Sequence, residues 1–78
     1  MRWILYSTLG CHLCEEAMAL IHATAIAGDI KEEDIANDDA LMERYGVCIP
    51  VLQCVSSGAE LGWPFDAALL ERFINAQR

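Results

Sequence analysis

A short run of bulky apolar residues, Trp3-Ile4-Leu5-Tyr6, is followed almost at once by Gly10-Cys11-His12-Leu13-Cys14-Glu15-Glu16. No polar residue alternates within the run, which predicts a strand covered on both faces. Beyond it, Leu13, Ala17, Leu20, Ile21, Thr24 and Ala25 recur at helical spacing, with Glu15, Glu16 and His22 elsewhere on the cylinder. Gly28 is the expected helix stop. The opening unit is therefore strand, loop and helix, with two cysteines where the loop becomes the helix. A 78-residue chain has room for one small domain and no second one, so this unit is expected to be a large part of a single domain spanning residues 1–78.

The rest of the chain supplies what such a unit needs to be covered. Ile30 to Ile35 brackets K-E-E-D between two isoleucines and predicts a polar edge strand whose charges discourage edge-to-edge pairing. Asn37-Asp38-Asp39 offers caps for a short helix running to Tyr45, and Gly46 closes it. Val47 to Val55 is the second strand-like run, interrupted by Pro50, and Ser56-Ser57-Gly58 is a turn signal leading to a returning strand at Glu60–Trp63. Asp66 caps a last helix in which Leu69, Leu70, Phe73 and Ile74 are expected to face inward. The order β-α-β-α-β-β-α predicts an α/β domain: a four-stranded mixed sheet, parallel where helices intervene and antiparallel at the closing hairpin, with helices on both faces.

Twelve acidic residues stand against five basic ones, for a net charge of −7. Such a surface repels phosphate backbones and anionic headgroups, which excludes nucleic acid and membrane surfaces as expected partners. Neither a secretory h-region nor a membrane-spanning run is present in the sequence. The expected compartment is the reducing cytosol, where four cysteines point to catalysis or metal binding more than to a disulfide framework.

At a helix start, unpaired backbone N–H groups and the positive end of the helix dipole favour an anion. Cys11 occupies that position, so it should ionise more readily than a free thiol of pKa about 8.5. Cys14, one turn on, is placed to receive a disulfide. The pair then works by thiolate exchange, with Cys11 attacking and Cys14 resolving. His12, as an imidazolium, would stabilise the thiolate; Glu15 and Glu16 act in the opposite sense. Pro50 is the second clue, because a proline inside a strand removes a ladder hydrogen bond. From the residues alone the Ile49–Pro50 peptide is expected to be trans, since only about 5–6 % of X-Pro bonds are cis.

Taken together, Y-S-T-L-G-C-H-L-C-E-E-A after a first strand, Y-G-V-C-I-P-V-L some way on, and G-W-P-F-D before a last helix resemble the small glutaredoxin-like proteins of the thioredoxin fold. The resemblance covers nearly the whole chain. It implies a thiol–disulfide active site at Cys11 and Cys14 and a cis-proline loop at Ile49–Pro50 packed against them, with the backbone of Ile49 left to pair with an extended substrate. Tyr6 and His12 are further candidates for substrate contact, with a packing role for Tyr6 and a solvated loop position for His12 as the equal alternatives. The partner implied is a protein or low-molecular-weight disulfide, met by a monomer, with no cofactor bound.

Departures from the family pattern concern glutathione. Glutathione-using relatives commonly carry lysine three residues before the first cysteine, where this chain has Thr8. In place of a glycine pair and an acid after the fourth strand it has Leu61-Gly62-Trp63-Pro64, with Asp66 the nearest acid. Glutathione is thus only a candidate co-substrate, since its usual contacts are partly missing.

Other readings stand beside these. Cys54 is expected in the core, and Cys48, two residues before Pro50, is either an ordinary loop thiol or a third redox thiol. Trp3 belongs to the core; Trp63 is either core or a groove wall. The competing function is a metal or iron–sulfur module, in which Cys11 and Cys14 need further ligands from Cys48, His12 or a second protomer. A third is an interaction domain with incidental cysteines.

Overall fold

A computed structural model gives the arrangement of residues 2–77. Strand β1 (Trp3–Ser7) leads into helix α1 (His12–His22), strand β2 (Ile30–Asp34), helix α2 (Asp39–Tyr45), strands β3 (Val51–Cys54) and β4 (Glu60–Gly62), and helix α3 (Ala67–Ala76). Two single 3₁₀ turns, Ala27–Asp29 and Ile35–Asn37, flank β2. The sheet runs β2-β1-β3-β4: β1 pairs parallel with β2 and antiparallel with β3, which pairs antiparallel with β4. This is the thioredoxin-like α/β architecture expected from the sequence.

Alternation along β1 builds both cores. Trp3 and Leu5 point to one face, where Ala17 and Ile21 of α1, Leu52 of β3 and Leu70 and Ile74 of α3 close over them. Tyr6 points to the other, joining Ile35, Tyr45 and Val51, with Ile4, Leu41 and Ile49 at its margin. That is why the first run has no polar alternation: β1 lies inside the sheet with side chains buried on both sides. Trp3 and Cys54 are core residues, and Trp63 packs against the first core through an edge-on contact with Phe65.

Two boundaries and one helix face differ from the expected ones. Helix α1 ends at His22, because the Thr24 backbone and hydroxyl both donate to the Ile21 carbonyl, at 2.9 and 2.6 Å. That local bond offers the chain an alternative to continuing the helix, and Gly28 falls in the 3₁₀ turn beyond. Strand β3 begins only after Pro50; the Tyr45 carbonyl accepts from both Cys48 and Ile49, at 2.8 and 3.2 Å, which coils residues 47–49 into a loop. In α3, Leu69 is exposed, while Leu70 and Ile74 carry the buried stripe.

Capping follows the sequence closely. Asp38 accepts from the amides of Ala40 and Leu41, and Asp66 from that of Leu69, satisfying donors that a helix start leaves unpaired. Gly58 (φ +77°) takes the left-handed conformation that the β3–β4 turn requires. Among the described residues no helix is long and apolar enough to cross a membrane.

Candidate active site

The cysteine loop rises from the carboxyl end of β1. Gly10 has φ +76°, a conformation open to glycine and costly for most other residues, and the Cys11 amide bonds back to the Thr8 carbonyl at 3.4 Å. That turn delivers Cys11 to the N-cap of α1, where its sulfur accepts the Cys14 backbone N–H at 3.1 Å. Cys11 and Cys14 are joined as a disulfide, with Cα atoms 5.2 Å apart, within the usual range for such a bridge. The two differ in access: Cys14 is 1 % exposed, whereas Cys11 is partly open to solvent.

His12 sits on the outer side of the first turn. Its ring is 85 % exposed and faces Glu15 (4.0 Å) and Glu16 (3.7 Å). The imidazole is therefore engaged with carboxylates on its own helix.

Pro50 comes to the same end of the sheet. Because Tyr6 is opposite Val51 in the antiparallel register, Pro50 follows on opposite the end of β1 from which the cysteine loop departs. Pro50 is buried, and the Ile49–Pro50 and Trp63–Pro64 peptides are cis. The Ile49 amide is spent on the Tyr45 carbonyl. Among the described residues its carbonyl accepts no backbone hydrogen bond.

Of the two roles expected of Tyr6, the structure shows the packing one. It is buried, stacks on Tyr45 with ring centroids 4.3 Å apart, and donates its hydroxyl to Gln53 Oε1 at 2.8 Å. Tyr45 in turn donates to the Glu60 carboxylate, which also faces Arg44. Tyr6, Tyr45, Gln53 and Glu60 thus tie β1, α2, β3 and β4 together beneath the loop carrying Val47–Pro50. Sequence reasoning missed Tyr45 and Glu60; the only local signal was the Tyr45-Gly46 pair ahead of that loop.

Burial is the main cause of an upward shift in the Tyr45 pKa, reinforced by its hydrogen bond to Glu60 and the nearby negative charge, and opposed by Arg44. A group with a raised folded-state pKa holds its proton more tightly in the native protein. Its contribution is complete below the unfolded-state value of about 10 and falls as pH rises beyond it. Urea midpoints measured from pH 9 upward should therefore drop more steeply in the wild-type protein than in Tyr45→Phe, which has no phenol at that position to ionise. Parallel curves would show that the phenol is not held in this way.

The remaining cysteines are separate from the pair in different ways. Cys48 is exposed on the loop before Pro50. Cys54 is buried at the opposite end of β3, beside Trp3 in the register, with Ser56 Oγ at 3.4 Å. The serine hydroxyls draw its thiol down to about 7 against the opposing effect of burial. Among the described residues no three His, Cys, Asp or Glu side chains converge as a metal-binding group.

With this geometry in view, comparisons with known proteins place the chain. The family model of the glutaredoxin-like domain (DUF836) matches residues 2–75, and the chain belongs to that family. It is similar to protein XcR50 from X. campestris, both in a crystal structure (39 % identity, TM-score 0.78, covering 95 % of this chain and 96 % of that one) and in a solution structure (41 %, 0.83, 97 % and 95 %). A solution structure of protein Ne2328 from Nitrosomonas europaea is similar at 25 % identity, with a TM-score of 0.75, covering 92 % of this chain and 88 % of that one. No curated protein matches the chain.

Proposed function

We propose that this protein is a thiol–disulfide oxidoreductase in which Cys11 is the attacking thiolate and Cys14 the resolving thiol. The observation that carries the reading is the asymmetry of the pair: one sulfur is accessible and accepts a backbone N–H at 3.1 Å, while the other is buried beside it. A hydrogen bond to the sulfur and the helix terminus both favour the anion at Cys11. A buried thiol at Cys14 is protected from outside reagents yet positioned to attack its neighbour.

In the reduced protein, the Cys11 thiolate attacks one sulfur of a partner disulfide. This forms a mixed disulfide and releases the partner's other sulfur as a thiolate, which takes a proton from solvent. Cys14 then gives up its proton and attacks the Cys11 sulfur. The second partner thiol leaves, and the Cys11–Cys14 disulfide remains. Two electrons have passed to the partner, and an external thiol reductant must restore the dithiol. An extended partner segment would lie along residues 47–50 and donate a backbone N–H to the Ile49 carbonyl, with Pro50 beneath it.

No bound cofactor is needed for this cycle, and the reducing cytosol is the setting in which such a dithiol is regenerated. Protein or small disulfides are the substrate class, with the protein acting as a monomer. Glutathione is a candidate co-substrate only through contacts other than the usual lysine, which Thr8 replaces.

Reversible bridging is the direct test. After excess dithiothreitol, mass mapping should find Cys11 and Cys14 both free; after a mild thiol oxidant it should find them joined to each other. A bridge that never opens, or oxidation that falls first on Cys48, contradicts the proposal.

A further inference from the structure

We infer that the surface around the Cys11–Cys14 pair docks a polypeptide segment whose cysteine is flanked by apolar residues and has a lysine or arginine within a few residues of it. This deepens, and rests on, the redox reading above by naming its substrate class.

Apolar exposure carries the first half. Leu9 is 90 % exposed, Val47 is 99 % exposed and Leu13 is 46 % exposed. Leu9 is two residues before Cys11, and Leu13 lies between the two cysteines. At no more than about 3.6 Å per residue, both must have backbones within about 7 Å of the Cys11 backbone. Val47 projects from the loop that ends at Pro50, at the same end of the sheet. Single exposed apolar residues need no explanation, but three at the end of the sheet that carries the reactive pair form a surface that a partner's apolar residues can cover.

Charge carries the second half. Beside Leu9 a groove of about 180 Å³ is lined by Ser7, Thr8, Leu9, Glu32 and Asp34. Ser7, itself buried, donates its hydroxyl to Glu32 at 2.6 Å, and Asp34 accepts the Ala36 amide at 2.9 Å. Both bonds hold a carboxylate in place without neutralising it. The ion pairs among the described residues lie elsewhere: Arg2 faces Asp29, His12 faces Glu15 and Glu16, Lys31 faces Glu33 and Arg44 faces Glu60. Among the described residues, then, neither groove carboxylate has a cation within ion-pair distance, and both lie next to an exposed leucine on a chain of net charge −7. A cation seated there is attracted and an acidic segment repelled, which gives specificity and a faster encounter. An anionic tripeptide is the wrong occupant; a basic, apolar-flanked segment is the complementary one.

The test uses two short labelled peptides with serine in place of the reactive cysteine, apolar residues on either side, and either lysine or glutamate two residues away. Anisotropy titrations at low ionic strength should show the lysine peptide binding about tenfold tighter, the difference shrinking in high salt. In the double variant Glu32→Gln, Asp34→Asn the discrimination should vanish. Both replacements keep an oxygen for the Ser7 hydroxyl or the Ala36 amide, and urea midpoints would report any loss of fold. Leu9→Ser and Val47→Ser should each weaken both peptides about fivefold.

Equal affinity for the two peptides, or discrimination that survives in the double variant, overturns the charged half; binding indifferent to Leu9 and Val47 overturns the apolar half. Reduction of a small uncharged disulfide, hydroxyethyl disulfide, separates the two levels. If it is reduced while the peptides bind without discrimination, the redox function stands and the docking surface falls. If the lysine peptide binds selectively but no disulfide is ever reduced, the surface stands and the redox function falls.

Discussion

Replacing Cys11 with serine should reduce disulfide exchange to its uncatalysed background, a loss on the order of a thousandfold or more, because the other sulfur at the helix start, that of Cys14, is buried away from a partner. Cys14→Ser should behave differently. It keeps the accessible sulfur and its backbone N–H partner, which is contributed by the main chain of residue 14. It lacks the thiol that would displace the partner, so a mixed disulfide through Cys11 should accumulate and be visible by mass. The contrast follows from the geometry: an N-cap sulfur, partly open to solvent, beside one that is 1 % exposed. Accumulation of a mixed disulfide through Cys14 in a Cys11→Ser protein would exchange the two roles. Equal residual exchange in both variants would remove the pair from the mechanism altogether.

Leu52→Ala should cost about 2–5 kcal/mol of folding stability, through lost transfer energy and the cavity left behind. Leu52 is fully buried. It stands opposite Leu5 on β1 and Leu61 on β4, in the core that α1 and α3 close. A domain of this size has about 4–12 kcal/mol in total, so one truncation removes a large share of it. Urea denaturation should show a much lower midpoint with the slope little changed. Val47→Ala, at a side chain that is 99 % exposed, should leave the midpoint where it is. A Leu52→Ala loss below about 1 kcal/mol would mean that the sheet and the two helices are not packed through that position.

The legible parts of the molecule were those coded by short-range pattern. The unbroken apolar run of β1 announced a strand buried on both faces, and the structure divides Trp3 and Leu5 from Ile4 and Tyr6 accordingly. Asp38 and Asp66 announced the starts of α2 and α3 by chemistry that acts over three residues. The two-residue gap between Cys11 and Cys14 at a strand-to-helix turn was enough to bring the sulfurs together.

What stayed hidden depends on partners distant in the chain, or on competition for one carbonyl. Tyr6 reads from sequence as a residue at the mouth of the loop. Its burial comes from Tyr45 and from Gln53, 47 residues away. Val47–Ile49 has the composition of a strand, yet the Tyr45 carbonyl captures two of its amides. Pro50 brings no N–H of its own with which to extend the ladder. The early end of α1 likewise turns on the Ile21 carbonyl being taken by Thr24, a local bond that helical periodicity does not register. The acidic groove needed register: Leu5 opposite Glu32 and Ser7 opposite Asp34 put two carboxylates beside the cysteine loop that were expected only as a solvated edge.

The decisive measurement is the rate of alkylation of Cys11 in the reduced protein as a function of pH, followed residue by residue by mass. A sulfur held by the Cys14 amide at the head of α1 should titrate well below the value of about 8.5 for a free thiol, with Cys14 reacting slowly throughout. A Cys11 titration at or above the free-thiol value, or alkylation that reaches Cys14 first, would contradict the assignment of Cys11 as the nucleophile.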